Sequence, residues 1–360
     1  MRPVAGPLAA FFVLSLCFSR IAVAQELVDP RVVGMGGVAT AFADDSTAPQ
    51  ENPAALWQLQ RWRLEAVAAT FMFSEGLAIA PAEIDRITAG SEEEARAAAQ
   101  RLVGQNATAS GAFHPSFTMK GFGVGLLANA VADARLRNSA YPRIEGKAGA
   151  IGGLVAGGAY GFVDDAVSIG MSLSIGKRAQ FVDVVGPATI AHGTYDFKAV
   201  TREGFGVVGT FGVQIIGPFE WAPRIGVTVK NAFGFNISDP APIFEGPDYH
   251  EYRLENVPPE VAVAVGTSKQ LGPVRLRLGL GHDDIKTTES PFLHLHAGAE
   301  TTFWGLISAR AGLWQGYVTG GLGLDFRYVR LEAATYEVER GAYAGQHGDR
   351  RFVFQLALGV

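Results

Sequence analysis

Apolar residues recur at every second position along much of this chain. The clearest stretch is VSIGMSLSIG at residues 167–176, where apolar side chains alternate with only Ser or Gly. Residues 274–281 repeat the pattern, with Val and Leu opposite Arg and Gly. Period-two alternation places the apolar side chains of a β-strand on one face. The pattern therefore predicts strands with one uniformly apolar face and one polar or small-residue face.

About fourteen segments carry this strand pattern, an even number. They are residues 61–73, 107–119, 122–135, 144–162, 166–182, 205–216, 223–237, 260–268, 274–283, 292–303, 306–313, 317–326, 328–339 and 351–360. Their connections mostly alternate between long polar loops and tight turns, although residues 314–316 are short where a long loop is expected. One helix is expected at residues 82–102, with Ser91 and Glu94 forming a capping box.

A water-soluble sandwich also alternates, so the pattern alone does not select a membrane protein. Hydrophobic residues make up 48% of the chain and charged residues 18%, with 45 glycines. No run of about 18 apolar residues follows the N-terminal signal. High hydrophobicity without helical spans, and a uniform apolar face on each strand, favour lipid contact. We predict an all-β fold: a single-domain transmembrane antiparallel β-barrel of about fourteen strands, closed so that no sheet edge meets lipid.

The alternation continues from Phe352 to the last residue, Val360. This ending resembles the C-terminal recognition strand of outer-membrane proteins, although those usually end in Phe or Trp. The ending favours insertion into an outer membrane.

An irregular segment, residues 31–56, lies before the first strand and contains too much Gly and Pro for an ordinary helix or strand. Glycine permits backbone angles that other residues resist, Asp favours turns, and Asn-Pro forces a turn or an extended exit. The segment is therefore predicted to form a compact, irregular insert. The residues that indicate this are Gly34, Gly36, Gly37, Asp44, Asp45, Asn52 and Pro53.

This segment resembles the N-terminal signature of the long-chain fatty-acid outer-membrane transporter family (FadL/OmpP1/TodX) and of related PorV-type barrels. The G-M-G-G, A-D-D and N-P-A-G-L stretches of that signature correspond to residues 34–37, 43–45 and 52–56. The departure is Ala55, where the pattern usually has Gly. The resemblance implies that the segment is a plug against the interior of the barrel.

A dinucleotide-binding turn is a rival interpretation, because Gly34, Gly36 and Ala39 match the form G-x-G-x-x-A. That motif needs a preceding strand, a following helix and a βαβ unit. Only two valines precede the glycines, and Pro49 and Pro53 would break the helix. The plug is the better interpretation.

A secretory signal is indicated by Arg2, an apolar run at residues 8–18 and the small-x-small pattern at 22–24. We expect a signal peptide at 1–24, a plug at 25–57 and a barrel at 58–360. The only cysteine, Cys17, lies in the signal, so no disulfide is expected. Losing the two signal arginines changes the formal charge from -5 to -7, which argues against nucleic acid as a partner.

Charged residues fall on the predicted inward faces of neighbouring strands. Balanced opposite charges offset one another's desolvation, so a structural ladder is the first interpretation. The alternative is that these charged residues bind the plug or the anionic head group of a substrate. These lumen charges are Arg275, Arg277, Glu300, Arg310, Asp325 and Arg327.

The histidines allow two kinds of chemistry, each with a simpler alternative. His294 and His296 could hold a metal with Glu300, but a polar barrel interior explains the same face, so no metal or cofactor is expected. Membrane-embedded hydrolases need a nucleophile and base at the rim. Four other histidines are scattered without a Ser-His-acid signature, so no enzyme is expected. They are His114, His192, His250 and His347.

Two functions follow from the resemblance. The first is passive transport of hydrophobic small molecules across the outer membrane of a Gram-negative-type bacterium. The alternative is a PorV-like interaction barrel that assists secretion or surface attachment of proteins and moves no small solute. Outer-membrane lipid, a hydrophobic ligand and secreted proteins are the corresponding partners. Five apolar residues in predicted outer loops would either collect ligand or anchor the rim to lipid. They are Phe197, Ile243, Phe244, Tyr249 and Tyr252.

The plug also carries a geometric prediction. Residues 34–56 should lie inside the barrel near its periplasmic end, with Asp44 or Asp45 paired to lumen arginines. Asn52 and Pro53 should fix the exit into the first strand. Small residues and turn-formers suggest that the plug lacks an apolar packing face and can be rearranged at modest cost.

Overall fold

The computed structural model describes residues 29–89, 91–137, 143–185, 201–239, 250–251, 257–284, 290–341 and 343–360. The predicted signal peptide lies outside the described residues. The five apolar loop residues, Phe197, Ile243, Phe244, Tyr249 and Tyr252, also lie outside them.

Short helices precede and interrupt a long series of strands. The helices are α1 (Pro30–Gly34), α2 (Ala48–Glu51), α3 (Glu75–Ala89) and α4 (Glu92–Leu102), with 3-10 helices at Pro53–Gln58 and Pro291–Leu293. The strands are β1 (Arg63–Ser74), β2 (Asn106–Phe113), β3 (Ser116–Met119), β4 (Phe122–Arg137), β5 (Arg143–Phe162), β6 (Val167–Val185), β7 (Thr201–Ile216), β8 (Arg224–Ile237), β9 (His250–Glu251), β10 (Glu260–Leu271), β11 (Val274–His282), β12 (Leu295–Phe303), β13 (Ile307–Trp314), β14 (Tyr317–Asp325), β15 (Val329–Glu339) and β16 (Gly348–Gly359).

Antiparallel pairing between successive strands, completed by β16 on β1, closes the sheet into a barrel. The segments β2 and β3 both pair with β1 and β4, so they form one wall strand interrupted at His114 and Pro115. Proline has no backbone N–H to donate at this point. The two-residue β9 pairs in parallel with β7 and is not one of the wall strands. The predicted barrel of fourteen antiparallel strands is therefore confirmed.

Strand β6 shows which face of the wall is apolar. Ile169, Met171 and Leu173 are exposed on the outside, whereas Ser168 and Ser172 are buried on the inside. This arrangement is the reverse of a water-soluble sandwich, whose apolar faces pack together. It suits a barrel with lipid outside and polar contents inside.

The helical segment between β1 and β2 differs from the prediction of one helix at residues 82–102. Helix α3 begins earlier, directly after β1, and a second helix, α4, follows Ser91. Ser91 N donates to Glu94 Oε2 at 2.8 Å, and Glu94 N donates to Ser91 Oγ at 3.3 Å. This reciprocal capping box starts a new helix, so it divides the predicted one. In the described part of the chain, neither of these helices nor any other has the length and apolarity needed to cross a membrane.

Connections at one end of the wall are tight, such as residues 163–166, 272–273, 304–306 and 326–328. We call this the short-turn end. The opposite end carries α3 and α4.

Candidate functional site

The N-terminal segment fills part of the barrel lumen, and its first half, residues 29–47, starts with a capped helix turn. Asp29 precedes α1, and its Oδ1 accepts from Arg31 N at 2.7 Å and from Val32 N at 3.2 Å. Pro30 occupies the first helical position, where its fixed φ suits the helix. The chain then turns at Gly36 and Gly37, whose φ values of 65° and 87° are strained for other residues.

The backbone of this half lies directly on the wall. A Cβ at Gly36 would lie 2.3 Å from Ala297 O, and one at Gly298 on β12 would lie 2.0 Å from Met35 O. Glycine on both surfaces is therefore required for the contact. Gly34 differs from its neighbours, because it lies within α1, where an added Cβ would lie 3.3 Å from Gly321 Cα. Close packing explains glycine there, and no unusual turn angle is involved.

The second half, residues 48–57, is organised by Asn52. This side chain is fully buried; its Nδ2 donates to Thr40 O at 2.8 Å and its Oδ1 accepts from Ala54 N at 3.1 Å. Pro53 begins the 3-10 helix that leads toward β1. A Cβ at Gly212 on β7 would lie 2.1 Å from Asn52 Oδ1. The wall thus leaves room for the Asn-Pro turn.

Three apolar clusters hold the plug, so the expectation that it lacks an apolar packing face is wrong. They are Val33 with Met72, Ala334, Tyr336 and Val353; Met35, Val38, Ala41 and Phe42 with Ala264; and Ala43, Ala48, Ala55, Leu56 and Leu59. These side chains follow no regular period, and wall glycines make space for them: a Cβ at Gly266 would lie 2.4 Å from the Phe42 ring. Their burial stabilises the plug in proportion to the apolar area removed from water.

Glu300 on β12 joins the plug to the wall. It is 2% exposed, and its oxygens accept from Arg277 Nη1 at 2.6 Å, Arg310 Nε at 2.7 Å and Arg31 Nε at 3.1 Å. Arg310 also bonds Glu332 on β15. Two of these arginines belong to the wall and one to the plug. Attraction to three guanidinium groups offsets the cost of removing the Glu300 carboxylate from water.

The two plug aspartates have different partners. Asp44 accepts from Arg277 Nη2 at 2.6 Å and pairs with Arg31 Nη2 at 3.0 Å, which ties the plug to β11. Asp45 pairs with Arg31 and accepts from Thr47 N at 2.9 Å, both within the plug. Of these two aspartates, Asp44 is the one that makes a direct ion pair with the wall in the described part of the chain.

Burial and charge shift these carboxyls in opposite directions. Burial favours the neutral form of Asp44, but Arg277 and Arg31 outweigh it and lower its pKa. Burial likewise opposes ionisation of Asp45, and Arg31 overcomes it, so the pKa of Asp45 is also lowered. Burial, reinforced by the Asp45 carboxylate, raises the pKa of Asp29 to about 7. The plug therefore contains one carboxyl that titrates near neutral pH.

The remaining predicted lumen charges lie near the short-turn end. Asp325 pairs with Arg63 at 3.1 Å, and Arg275 Nε donates to Gln270 Oε1 at 3.3 Å. The prediction for Arg327 is wrong, because β14 ends at Asp325 and the chain reverses before the alternation reaches that residue. The Arg327 guanidinium instead lies 5.1 Å from the ring centre of Tyr328.

Several charged residues of the site were not predicted. Arg330 Nη2 donates to Glu65 Oε1 at 2.7 Å, and both residues are buried. Arg330 and Glu332 share the inner face of a strand that was predicted, so period two could have revealed them. The role of Arg31 had no such signal, since its partner Glu300 is 269 residues away.

The histidines at the start of β12 contact the plug and a loop carboxylate. His296 Nδ1 donates to Gly36 O at 2.8 Å, and its Nε2 lies 3.0 Å from Asp283 Oδ2. His294 Nδ1 lies 2.9 Å from Asp283 Oδ1. Within the described ranges, no group of three or more His, Cys, Asp or Glu side chains is placed to hold a metal ion.

A cavity of about 870 Å³ extends from the short-turn end to the plug. Arg31, Asp44 and Asp45 form the plug's contribution to its lining, and Arg224, Arg275 and Arg277 form part of the wall's. The cavity is therefore charged where it meets the plug.

The fold is similar to that of the CymD monoaromatic hydrocarbon channel. The two chains are 13% identical, with 92% of this chain and 97% of that chain covered and a TM-score of 0.51. The toluene transporters TbuX of Ralstonia pickettii and TodX of Pseudomonas putida are each 11% identical. Their alignments cover 93% and 95% of this chain and 99% and 97% of theirs, with TM-scores of 0.49 and 0.44. No protein-family model and no curated protein sequence matches the chain. The similarity to the CymD channel agrees, for the fold, with the resemblance seen in residues 31–56.

Proposed function

We propose that this protein is an outer-membrane barrel of a Gram-negative-type bacterium that passes hydrophobic small molecules passively, with the plug as its gate. The outer face of the wall is apolar, as lipid contact requires. The fold is shared with CymD, which is described as a monoaromatic hydrocarbon channel. The observation that carries the proposal is the cavity that reaches the plug from the short-turn end, which we take to face the periplasm. A solute that passes the plug would have an open path beyond it.

The proposed gate residues are those that position the plug: Gly34, Gly36, Gly37, Asp44, Asp45, Asn52 and Pro53. The ion pairs of Asp44 with Arg277 and of Arg31 with Glu300 cross between plug and wall. Exchange of such pairs for other partners or water would let the part of the first half around Arg31 shift, while the hydrogen bond from Asn52 to Thr40 O keeps the end of that half joined to the second half.

Uptake of a hydrophobic fluorescent probe into proteoliposomes tests the proposal. We expect wild-type barrel to accelerate uptake over protein-free vesicles, and a deletion of residues 34–43 to change the rate. Heat-modifiable gel migration verifies that the deletion variant still forms a barrel. Wild-type vesicles that take up probe no faster than protein-free vesicles would contradict transport.

A PorV-like interaction barrel is the second candidate, and one observation favours it. The plug is held by three apolar clusters as well as ion pairs, which suits a permanently closed lumen. Such a barrel would assist secretion or surface attachment without moving a solute. It predicts that neither wild type nor any plug variant that leaves the barrel closed changes probe uptake.

A further inference from the structure

We propose that the cavity at the short-turn end binds a small soluble oxyanion, such as inorganic phosphate or a small carboxylate, against Arg224, Arg275 and Arg277. The site lies in the cavity that a transported solute would enter beyond the plug, but binding of an oxyanion there does not require transport, so the proposal does not rest on it.

The charge of the lining is the first argument. Eight arginines and five carboxylates line the cavity. The arginines are Arg31, Arg61, Arg63, Arg224, Arg275, Arg277, Arg310 and Arg330, and the carboxylates are Asp44, Asp45, Glu300, Asp325 and Glu332. The lining therefore has more positive than negative side chains. Glu65, which is not part of the lining, compensates some of this positive charge by pairing with Arg63 and Arg330. Arg224 on β8 and Arg275 and Arg277 on β11 contribute positive charge on either side of β10.

Arg224 has unmade hydrogen bonds. Its Nε and Nη1 are buried and have no hydrogen-bond partner among the described residues. Asp44 Oδ2 lies 3.8 Å from Nη1, beyond hydrogen-bond distance, and that oxygen already accepts from Arg277 Nη2 at 2.6 Å. The guanidinium is held in place over the Phe42 ring, 5.7 Å from its centre. A guanidinium whose hydrogen bonds are this incomplete favours an added acceptor at the part of it that lines the cavity.

Strand register places further donors beside Arg224. Arg224 pairs across strands with Gly266, and Ser268 and Gln270 follow at the next inward positions of β10. Arg277 lies opposite Ser268, and Arg275 lies opposite Gln270. Within the part of the chain that the structure describes, Arg275 makes no ion pair. Guanidinium, amide and hydroxyl groups thus converge on one patch.

The chemistry of this patch selects the ligand class. A guanidinium presents parallel N–H groups that match the oxygens of phosphate or carboxylate. The lining beside the patch is polar, including Ser268, Gln270 and Thr302. Apolar residues also line the cavity, such as Leu59 and Trp62, but they lie on the chain that leads into β1 and not on this patch. The site therefore suits a soluble oxyanion better than an amphiphile.

Titration calorimetry with inorganic phosphate, on the full barrel in a neutral detergent at low ionic strength, tests the proposal. We expect saturable binding that weakens as salt is added. Arg224→Gln should weaken binding by about tenfold or more, and Arg275→Gln should also weaken it. Arg327→Gln is the matched control, because it removes the same charge from the same end but outside the cavity; its affinity should equal that of wild type.

Three results would overturn the proposal: no saturable binding to wild type, unchanged affinity in both site variants, or an equal loss in Arg327→Gln. If Arg224→Gln does not fold, Arg275→Gln decides alone, since its side chain is exposed. A short-chain phosphatidic acid supplies the second arm. Affinity more than about tenfold above that of phosphate would assign the site to a lipid headgroup and contradict the soluble ligand.

Discussion

The two halves of the plug differ in how far ion pairs attach them to the barrel. Residues 29–47 contact the wall through two apolar clusters, around Val33 and Phe42, and also through ion pairs, with Arg31 and Asp44 bonded to Glu300 and Arg277. Residues 48–57 contact β4 to β8 mainly through apolar packing, with an ion pair between Glu51 and Lys230 and a hydrogen bond from Asn52 Nδ2 to Val213 O at 3.4 Å. Ion pairs exchange partners with water, protons and other ions, whereas backbone hydrogen bonds and apolar packing do not titrate. The first half is therefore the part whose attachment solution conditions can change.

The largest effect is expected from Glu300→Gln. The substitution removes the charge shared by Arg31, Arg277 and Arg310, and breaking a buried ion pair costs roughly 3–5 kcal/mol. Amide exchange should show lost protection in residues 29–47 and retained protection in residues 48–57.

Glu220→Gln is the matched control for that experiment, because Glu220 pairs with Lys269 but its side chain is 78% exposed. Its effect should be near zero. Equal loss of protection in both halves of the Glu300→Gln plug would show that the halves are not separately attached.

The corresponding change in the second half is Asn52→Ala. It leaves Thr40 O and Ala54 N without their hydrogen-bond partner, which should lower the stability of the folded plug by roughly 1–3 kcal/mol. Residues 48–57 should lose protection from exchange. Asn52→Asp keeps the acceptor for Ala54 N but replaces the donor to Thr40 O with an oxygen and adds a buried charge, so it should cost at least as much as Asn52→Ala. Unchanged protection in the Ala variant would mean that apolar packing fixes this half without Asn52.

Alternation predicted the barrel because contact with lipid requires an apolar outer face on every strand. The serines of β6 face inward and its apolar residues face outward, and no long-range information is needed to see that pattern. Arg277, Glu300 and Arg310 followed from the same rule. Arg327 did not, because a turn ends the alternation and no residue type marks where β14 stops.

The plug was less predictable, because its contacts are long-range and irregular. The Phe42 ring fits only because Gly266 and Gly279, on strands far from it in sequence, leave space for it. Nothing in the sequence distinguishes these two glycines from the other glycines of the wall. Composition suggested a loosely packed segment, but the shape of the wall decides how much area is buried. The unbonded Arg224 likewise depends on Asp44 being engaged by Arg277.

A smaller effect is expected from pH, and it should be confined to the first half. The pKa of Asp29 is about 7 against an ordinary value of 3.8, so its neutral form fits the folded state better. Its contribution to stability is complete below about pH 4 and is lost as the pH rises through 7. Protection factors in residues 29–47 should therefore be higher at pH 6 than at pH 8, and Asp29→Asn should remove the difference.

The lowered pKa values of Asp44 and Asp45 act with the opposite sign. Their contribution is complete above about pH 4 and is lost only in stronger acid. They therefore add nothing to the change between pH 6 and pH 8. A first half held more firmly at pH 8 would contradict the assignment to Asp29.

Passage past the plug is tested most directly by locking its first half to the wall. A Cβ added at Gly34 would lie 3.5 Å from Ala334 Cβ, within the range for a disulfide. The chain's only cysteine, Cys17, lies in the predicted signal, so no other thiol is expected to compete. The double variant Gly34→Cys, Ala334→Cys should take up hydrophobic probe slowly when oxidised and recover on reduction, while each single variant is unaffected by either treatment. Wild-type uptake by the fully oxidised double variant would contradict a gate in the first half of the plug.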